Sequence, residues 1–477
     1  MKQKLIYRQK IWNYYNRLTA YSFLYRVKAI GYCCIVLLNF SCEDFVGVEL
    51  PSSQLGTEVV FKDAASANAA MTGVYANIRD TGILSDLSYD MGLYSDELDL
   101  YGSGTTNAQG FYQNSLMPSD NKIGSWWNDT YSQIYDVNAI IEHVNGSNNL
   151  SEDLVNQLMG EALFIRGMLH FYLSQVYGEI PYITTTDYKD NTAVSKMAVV
   201  DIFTHVEADL SEAVSLLPGS YSTDDRTRAN RAVAMAFLAR VYLYNGKWEK
   251  AKQMAGSVLE QTDLYQWEEN LESVFLKESS ATLLQWYPKF EGNNTPEGRI
   301  FIFDSAPPDN VALASDLVKS FHPNDLRLTH WIRKISDTEE SWYHSFKYKE
   351  KGSSDPVKEY SVMLRLAEIY LIRSEASVRL GDFDLALSDL NKVRTRAGLA
   401  AITTRAPKML LELIGEERRH EFFTENGHRF FDLKRNNRLD RVLSGIKTGW
   451  VSTDQLLPLP ERELVLNPQL EPQNPGY

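Results

Sequence analysis

An all-α-dominated fold, with tetratricopeptide-like helix pairs scaffolding long irregular loops and little β structure, is what the sequence predicts. Three observations carry it. First, Tyr360–Leu399 reads as a helical hairpin. Leu364, Ala367, Leu371, Ser374 and Val378 recur at the three-and-four spacing of an amphipathic helix. Gly381-Asp382 then breaks it, since glycine takes the left-handed conformation at a helix end. A second helix follows with Phe383, Ala386, Leu387, Leu390 and Val393 on one face. Second, Arg228–Glu260 repeats the pattern: Gly246, Trp248 and Ala251 fall at the offsets of Gly381, Phe383 and Ala386. Small residues, Ala239 and Ser374, stand twelve positions before each alanine, so one repeat unit occurs twice, 135 residues apart. Third, the helical segments elsewhere end on glycine or proline stops.

The elements follow in chain order. Residues 1–42 hold seven basic residues (Lys2, Lys4, Arg8, Lys10, Arg17, Arg26, Lys28) and no acidic one. The apolar run Ala29–Phe40 is too short to cross a bilayer and has the length of a secretory signal core. It ends in Ser41-Cys42, a small residue before a cysteine, as in the cleavage box of bacterial lipoproteins, with Leu38 four residues ahead instead of three. A signal peptide over 1–42 and a lipidated Cys42 are therefore expected. Cys33 and Cys34 would leave with the signal, so no thiol remains for a disulfide. Lipid on Cys42 would tether the chain to a membrane face.

Residues 43–62 read as an extended tether, and Ala64–Arg79 as a helix rich in small residues. Residues 80–122 form a loop-rich region of Gly, Ser, Asn and Tyr. Trp126–Val144 is a helix with Trp127, Tyr131, Ile134, Val137, Ile141 and Val144 on one face. Glu161–Tyr177 is another, closed by Gly178, and Asp201–Leu217 a third, stopped by Pro218-Gly219. The two hairpins enclose an irregular insert, about 262–358, carrying Pro288, Pro296, Pro307, Pro308, Pro323 and Pro356. A loop of that length inside a fold is expected to carry function. Charged helices follow at Met409–Phe423 and His428–Arg441, and the last 25 residues are proline-rich. Three regions result: the signal, an N-terminal helical region 43–225, and a C-terminal region 226–477 that includes the insert.

Charge narrows the function. Loss of residues 1–42 would move the formal net charge from −14 by seven units to −21. Nucleic-acid phosphate needs clustered cations, so no nucleic-acid partner is expected. Aromatics reach 12% of the chain, with 27 Tyr and 9 Trp, many of them in polar loop-like stretches. Aromatic side chains outside a core suit a flat, weakly polar ligand. On the first helix of the opening hairpin, Arg365, Glu368, Arg373 and Glu375 lie close to the apolar stripe. Buried charges are costly unless paired, so an internal ion network is expected, fastening this hairpin to Glu416–Arg435.

Four segments together carry a resemblance: EALFIRGMLHFYLSQVYGEIPYI at 161–183, MLRLAEIYLIRSEASVRLGDFDLALSDLNKVRTRAGL at 363–399, EERRHEFFTENGHRFFDLKR at 416–435 and LLPLPERELVLNPQLEPQNPGY at 456–477. The chain resembles the SusD/RagB family of Bacteroidetes surface nutrient-binding lipoproteins, and the match runs over essentially the whole mature chain. The resemblance implies a helical scaffold with ligand-binding loops, and a surface-exposed protein anchored in the outer membrane by its acylated cysteine. It also implies capture of oligosaccharides, or in some members peptides, without cleavage, and delivery to a SusC-like TonB-dependent transporter, the expected protein partner. The family has no residue motif at its ligand surface.

Site candidates therefore come from chemistry. A glycan site needs aromatic faces against the apolar faces of sugar rings, with amide or charged groups for the hydroxyls. The loop Tyr94–Asn114 offers Tyr101, Phe111 and Tyr112 among Asp96, Asn107 and Gln109. The insert offers Trp286, Tyr287, Trp331, Trp342 and Tyr343. Tyr101, Tyr112, Trp286, Tyr287, Trp331 and Trp342 are the expected ligand-binding residues. Trp127 and Tyr131, at helical spacing, are expected in the core. Asp96, Glu97 and Asp99 read as solvated acids on a loop, lacking both EF-hand spacing and evidence of a hydrolase separation. The eight histidines form no HExxH, and CxxC, GxSxG and Walker patterns are absent. No enzyme activity, cofactor or metal is expected; a surface glycoside hydrolase is the least favoured reading.

Overall fold

The computed structural model describes Trp12 and residues 61–477 apart from Ser103. The expected signal, Cys42 and most of the tether lie outside the described residues. Helix α1 spans Ala64–Asp80, with the Asp63 side chain accepting the Ser66 N–H as its cap. Helix α2 (Leu87–Tyr94), strand β1 (Leu98–Leu100) and helix α3 (Thr106–Gln113) occupy the stretch expected as loop. Two helices of eight residues are too short to show a clear apolar period. Their order comes from packing, with Met91, Leu93, Tyr94 and Phe111 fully covered.

Helix α4 (Asn121–Val144) starts five residues ahead of the expected Trp126, and α5 (Glu152–Tyr177) starts nine ahead of Glu161. Ser151 caps α5 and Gly178 ends it at φ 79°. Helix α5 is buried on all sides from Gly160 onward, which marks it as the central helix of the N-terminal half. It packs against α4 and against α6 (Val199–Leu216). Gly160 permits that approach, because a Cβ there would lie 2.7 Å from Leu217 Cγ.

Helices α7 (Arg231–Tyr244) and α8 (Trp248–Leu259) form the first repeat hairpin. The insert contains more order than its prolines suggest: β2 (Thr282–Trp286), helix α9 (Pro296–Phe301), β3 (Val311–Leu313), β4 (Ile332–Ser336) and β5 (Ser341–Ser345). Strand β6 (Ser361–Arg365) leads into the second hairpin, α10 (Leu366–Leu380) and α11 (Phe383–Arg396). Helices α12 (Pro407–Phe422) and α13 (His428–Arg435) complete the scaffold. Three antiparallel two-stranded sheets join β1 to β3, β2 to β6 and β4 to β5.

The two hairpins are distant in sequence and adjacent in space, since α8 packs directly on α10. The β2–β6 pair, with Trp286 opposite Ser361, closes the base of the excursion between them. Charged side chains lock the stack. Arg240 of α7 makes a bidentate pair with Glu368 of α10, both hydrogen bonds 2.6 Å, and both residues are buried. Glu375 of α10 receives Arg435 of α13 at 2.7 Å on each oxygen. Arg365 reaches Glu421 at 2.5 Å and Glu425 at 2.8 Å. Arg373 stays within its own hairpin, on Asp389 at 2.7 Å. The expected ion network is thus present, and it ties α10 to α7 as well as to α12 and α13.

Candidate functional site

Where β2 leaves the core, its last residue and the loop behind it form the floor of a cleft of about 410 Å³. Trp286 is still inside, 8% exposed, its ring 6.2 Å from that of Tyr75 on α1. One residue further the chain surfaces: Tyr287 is 49% and Phe290 62% exposed. The Tyr287 ring is braced edge-on by Tyr360 at 5.3 Å. Burial pushes the Tyr360 hydroxyl up to about 12, so it braces Tyr287 as an uncharged ring.

The C-terminal end of α1 fixes this loop. Arg79 Nη1 donates to the carbonyls of Tyr287 (3.0 Å) and Pro288 (3.2 Å). Its other two nitrogens donate to Asp80, at 2.7 and 2.9 Å. Those hydrogen bonds hold the Asp80 carboxyl below the usual carboxylate range, and Lys289 adds an ion pair at 3.3 Å. Asp80 is therefore ionised, its oxygens engaged by Arg79 and Lys289, and unsuited to donating a proton. Asp86, also on the wall, is held by Lys122 of α4 at 2.6 Å.

The far wall comes from the insert. Asn294 Nδ2 donates to Gly352 O (2.8 Å) and Ser354 Oγ (2.9 Å), while its Oδ1 accepts the N–H groups of Lys358 and Glu359. Asn293 Oδ1 accepts from Ser353 Oγ at 2.7 Å. Arg299 and Lys351 extend this wall. A second concavity of about 340 Å³ shares Arg79, Trp286 and Tyr287 and adds Thr72, Tyr75, Thr223, Asp225 and Thr227. The surface aromatic thus stands between two recesses lined by charged and hydroxyl groups. Such a surface can take a chain of hydroxylated rings lying across Tyr287.

Of the six residues expected to bind ligand, the cleft brings together Trp286 and Tyr287. Tyr101 and Trp342 meet elsewhere, rings 6.5 Å apart and edge to face, where the β1–β3 pair joins the first loop to the insert. Tyr112 donates its hydroxyl to Asp99 at 3.2 Å, with Lys447 Nζ 4.0 Å from its ring. Trp331 has no exposed surface at all. Its indole N–H donates to Leu271 O at 3.0 Å, and Lys347, Arg365 and Arg396 stand 5.2 to 5.8 Å from its ring. Trp127 is buried and Tyr131 partly so, as expected.

Two of the acids read as solvated are buried instead. Asp96 sits between Arg429 (2.6 Å) and Arg419 (3.0 Å). Glu97 is covered, and burial pushes it up to about 8. Residues that sequence reasoning did not single out include Arg79, Asp80, Asp86, Arg299, Lys351 and Tyr360. No local signal marks them, because α1, the insert and β6 meet only in the folded chain.

Comparison with known proteins accords with this architecture. Residues 53–243 match a family described as starch-binding and associating with the outer membrane, and residues 324–477 match the SusD family. Together they cover well over half of the chain. The chain is 27% identical to SusD-like protein P2 of Formosa agariphila, over 94% of its own length and 99% of that protein's. It is 23% identical to SusD-like protein P25 of the same organism, over 94% and 99%. The fold matches a SusD superfamily protein from Bacteroides vulgatus with TM-score 0.78 at 19% identity, over 87% of this chain and 99% of that one. It also matches a laminarin-binding SusD-like protein with TM-score 0.73 at 22% identity, over 87% and 100%.

Proposed function

The chain belongs to the SusD/RagB family, and from that premise we propose that it is a non-catalytic surface lipoprotein. It captures oligosaccharides at the Tyr287 cleft and passes them to a SusC-like TonB-dependent transporter. The observation that carries the reading is the exposed pair Tyr287 and Phe290, set among Arg79, Asp80, Lys289 and Arg299 at the exit of a buried strand. Exposed aromatic rings grouped on a surface keep apolar faces in water, which a flat apolar ligand face would cover. The apolar face of a pyranose is such a cover, and the charged neighbours suit its hydroxyls. The site aromatic follows the end of the paired strand β2, its backbone carbonyl held by Arg79 and its ring braced from the side by Tyr360, so little order has to be imposed on binding. Binding at the family's outer-membrane address is completed by lipid on Cys42.

Affinity electrophoresis across a broad glycan panel, laminarin included, tests the reading, followed by calorimetry with any glycan that retards the protein. Tyr287→Ala is expected to weaken binding roughly tenfold, the loss of one stacked aromatic anchor, with thermal stability unchanged. Binding to oligopeptides and to no glycan would replace this ligand class with the peptide class. Release of reducing sugar by the purified protein would overturn the non-catalytic assignment.

A further inference from the structure

The protein as a whole is acidic, at −14, yet the cleft beside Tyr287 has the opposite balance. Its walls carry four cations, Arg79, Lys289, Arg299 and Lys351, against two carboxylates, Asp80 and Asp86. The two carboxylates are already engaged. Asp80 is taken by Arg79 and Lys289, and Asp86 by Lys122 from behind the wall. Lys351 is answered only by Asp304, in a pair where both side chains are about half exposed or more, 49% and 71%. Arg299 has no ion pair or side-chain hydrogen bond within the described residues. A guanidinium with five free donors, beside an exposed aromatic, is a fork for a carboxylate or sulfate.

The second recess, across Tyr287, is different. Beyond the shared Arg79, which Asp80 and two carbonyls engage, its polar lining is Thr72, Thr223 and Thr227 with Asp225, and its Arg228 is consumed by Glu161 at 2.8 Å. The positive character is therefore confined to the Phe290 side of the cleft. An acidic protein that concentrates cations at one end of its ligand groove repels anions everywhere else and focuses them there.

We propose that the glycan captured at this cleft is anionic, bearing carboxylate or sulfate groups that Arg299, Lys289 and Lys351 meet while Tyr287 and Phe290 cover the sugar faces. The proposal rests on the glycan-binding reading given above. It sets this chain apart in ligand charge from the laminarin-binding relative, whose fold it shares.

The test is a two-class panel in affinity gels: laminarin, starch, xylan and galactan as neutral polymers, and polygalacturonate, alginate, carrageenan and chondroitin sulfate as acidic ones. Retardation by acidic polymers and not by neutral ones is expected. Calorimetry with oligomers of the retarding polymer should then show affinity falling as salt is raised from about 50 to 500 mM. Arg299→Ala should lower it roughly tenfold, the effect of removing one charge-assisted hydrogen-bonding group, and Arg299→Lys should restore part of that affinity. Retardation by neutral polymers alone, or an affinity indifferent to salt and to Arg299→Ala, overturns the anionic assignment and leaves glycan capture standing. Retardation by neither class removes glycan capture itself, and the anionic assignment falls with it.

Discussion

His170 shows how a single side chain sets a condition on the whole fold. It is buried in α5, stacked on Tyr182 at 3.9 Å. Its Nδ1 lies 2.9 Å from Arg166 O, and its Nε2 accepts the Ile183 N–H at 3.0 Å. Both ring positions are satisfied only in the neutral form, and burial pushes the pKa down to about 3. A histidine depressed on folding gives stability that is whole above about 6.5 and is lost as pH falls toward 3. His420, also depressed to about 3 by burial, acts in the same direction. Glu97 acts in the other: raised to about 8, it gives stability that is whole below about 4.5 and fades as pH rises through 8. Urea unfolding midpoints across pH should therefore trace a dome, its acid side set by the histidines and softened by Glu97 and by Asp90, which burial raises to about 7. Glu97→Gln should lift its alkaline side and leave the acid side in place. Glu97 also shows what sequence alone conceals. The run Asp96-Glu97-Leu98-Asp99 looks like a wet acidic loop, and nothing nearby announces that Arg419 and Arg429, more than 300 residues on, will cover it.

Among the elements, the paired hairpins were the most legible, because a glycine stop, an aromatic and an alanine at fixed offsets are local facts. Gly381 takes φ 80° and Gly246 φ 67°, the left-handed turn that the spacing demanded. Helices α2 and α3 were not legible, being eight residues long and ordered by what packs on them. The stacking of α8 on α10 was not legible either, since the ion pair that fixes the neighbouring helices joins Arg240 to Glu368, 128 residues apart. That pair belongs to the element scale: it sets α7 against α10 with two buried hydrogen bonds, and Arg240 Nη1 also donates to the Tyr172 hydroxyl of α5 at 2.6 Å. Removing one partner strands the other charge without water. Glu368→Ala is expected to cost about 3–5 kcal/mol in chemical denaturation, whereas the exposed Arg405→Ala, losing only Asp384, should cost less than about 1 kcal/mol.

At the scale of the whole molecule, the repeat hairpins form the scaffold, and the candidate cleft lies where the end of α1 meets the insert. The scaffold was readable from its periodicity and ion pairs, and the insert from its prolines and aromatics. Which aromatics reach the surface was not readable, because Trp331 and Tyr287 look alike in sequence and differ only in what the fold places over them. The proposed lipid anchor has its own test. Under that proposal Cys42→Ala should move the protein from the membrane fraction to the soluble one while leaving glycan affinity unchanged; retention in the membrane would refute the lipid anchor. The β2–β6 pair has a consequence of its own. It draws the two ends of residues 287–360 together at Trp286 and Ser361, so the scaffold meets that excursion as a plug seated in a socket. Loop-closure entropy rises only slowly with length, so the exposed loops of this plug can lengthen or shorten cheaply, whereas its Arg327 and Lys347 pair with Glu417, Glu421 and Glu425 of the scaffold and hold its buried part in place. Variation is thus cheapest in the exposed loops at the rim of the plug, and dearest where its buried cations are keyed into the socket.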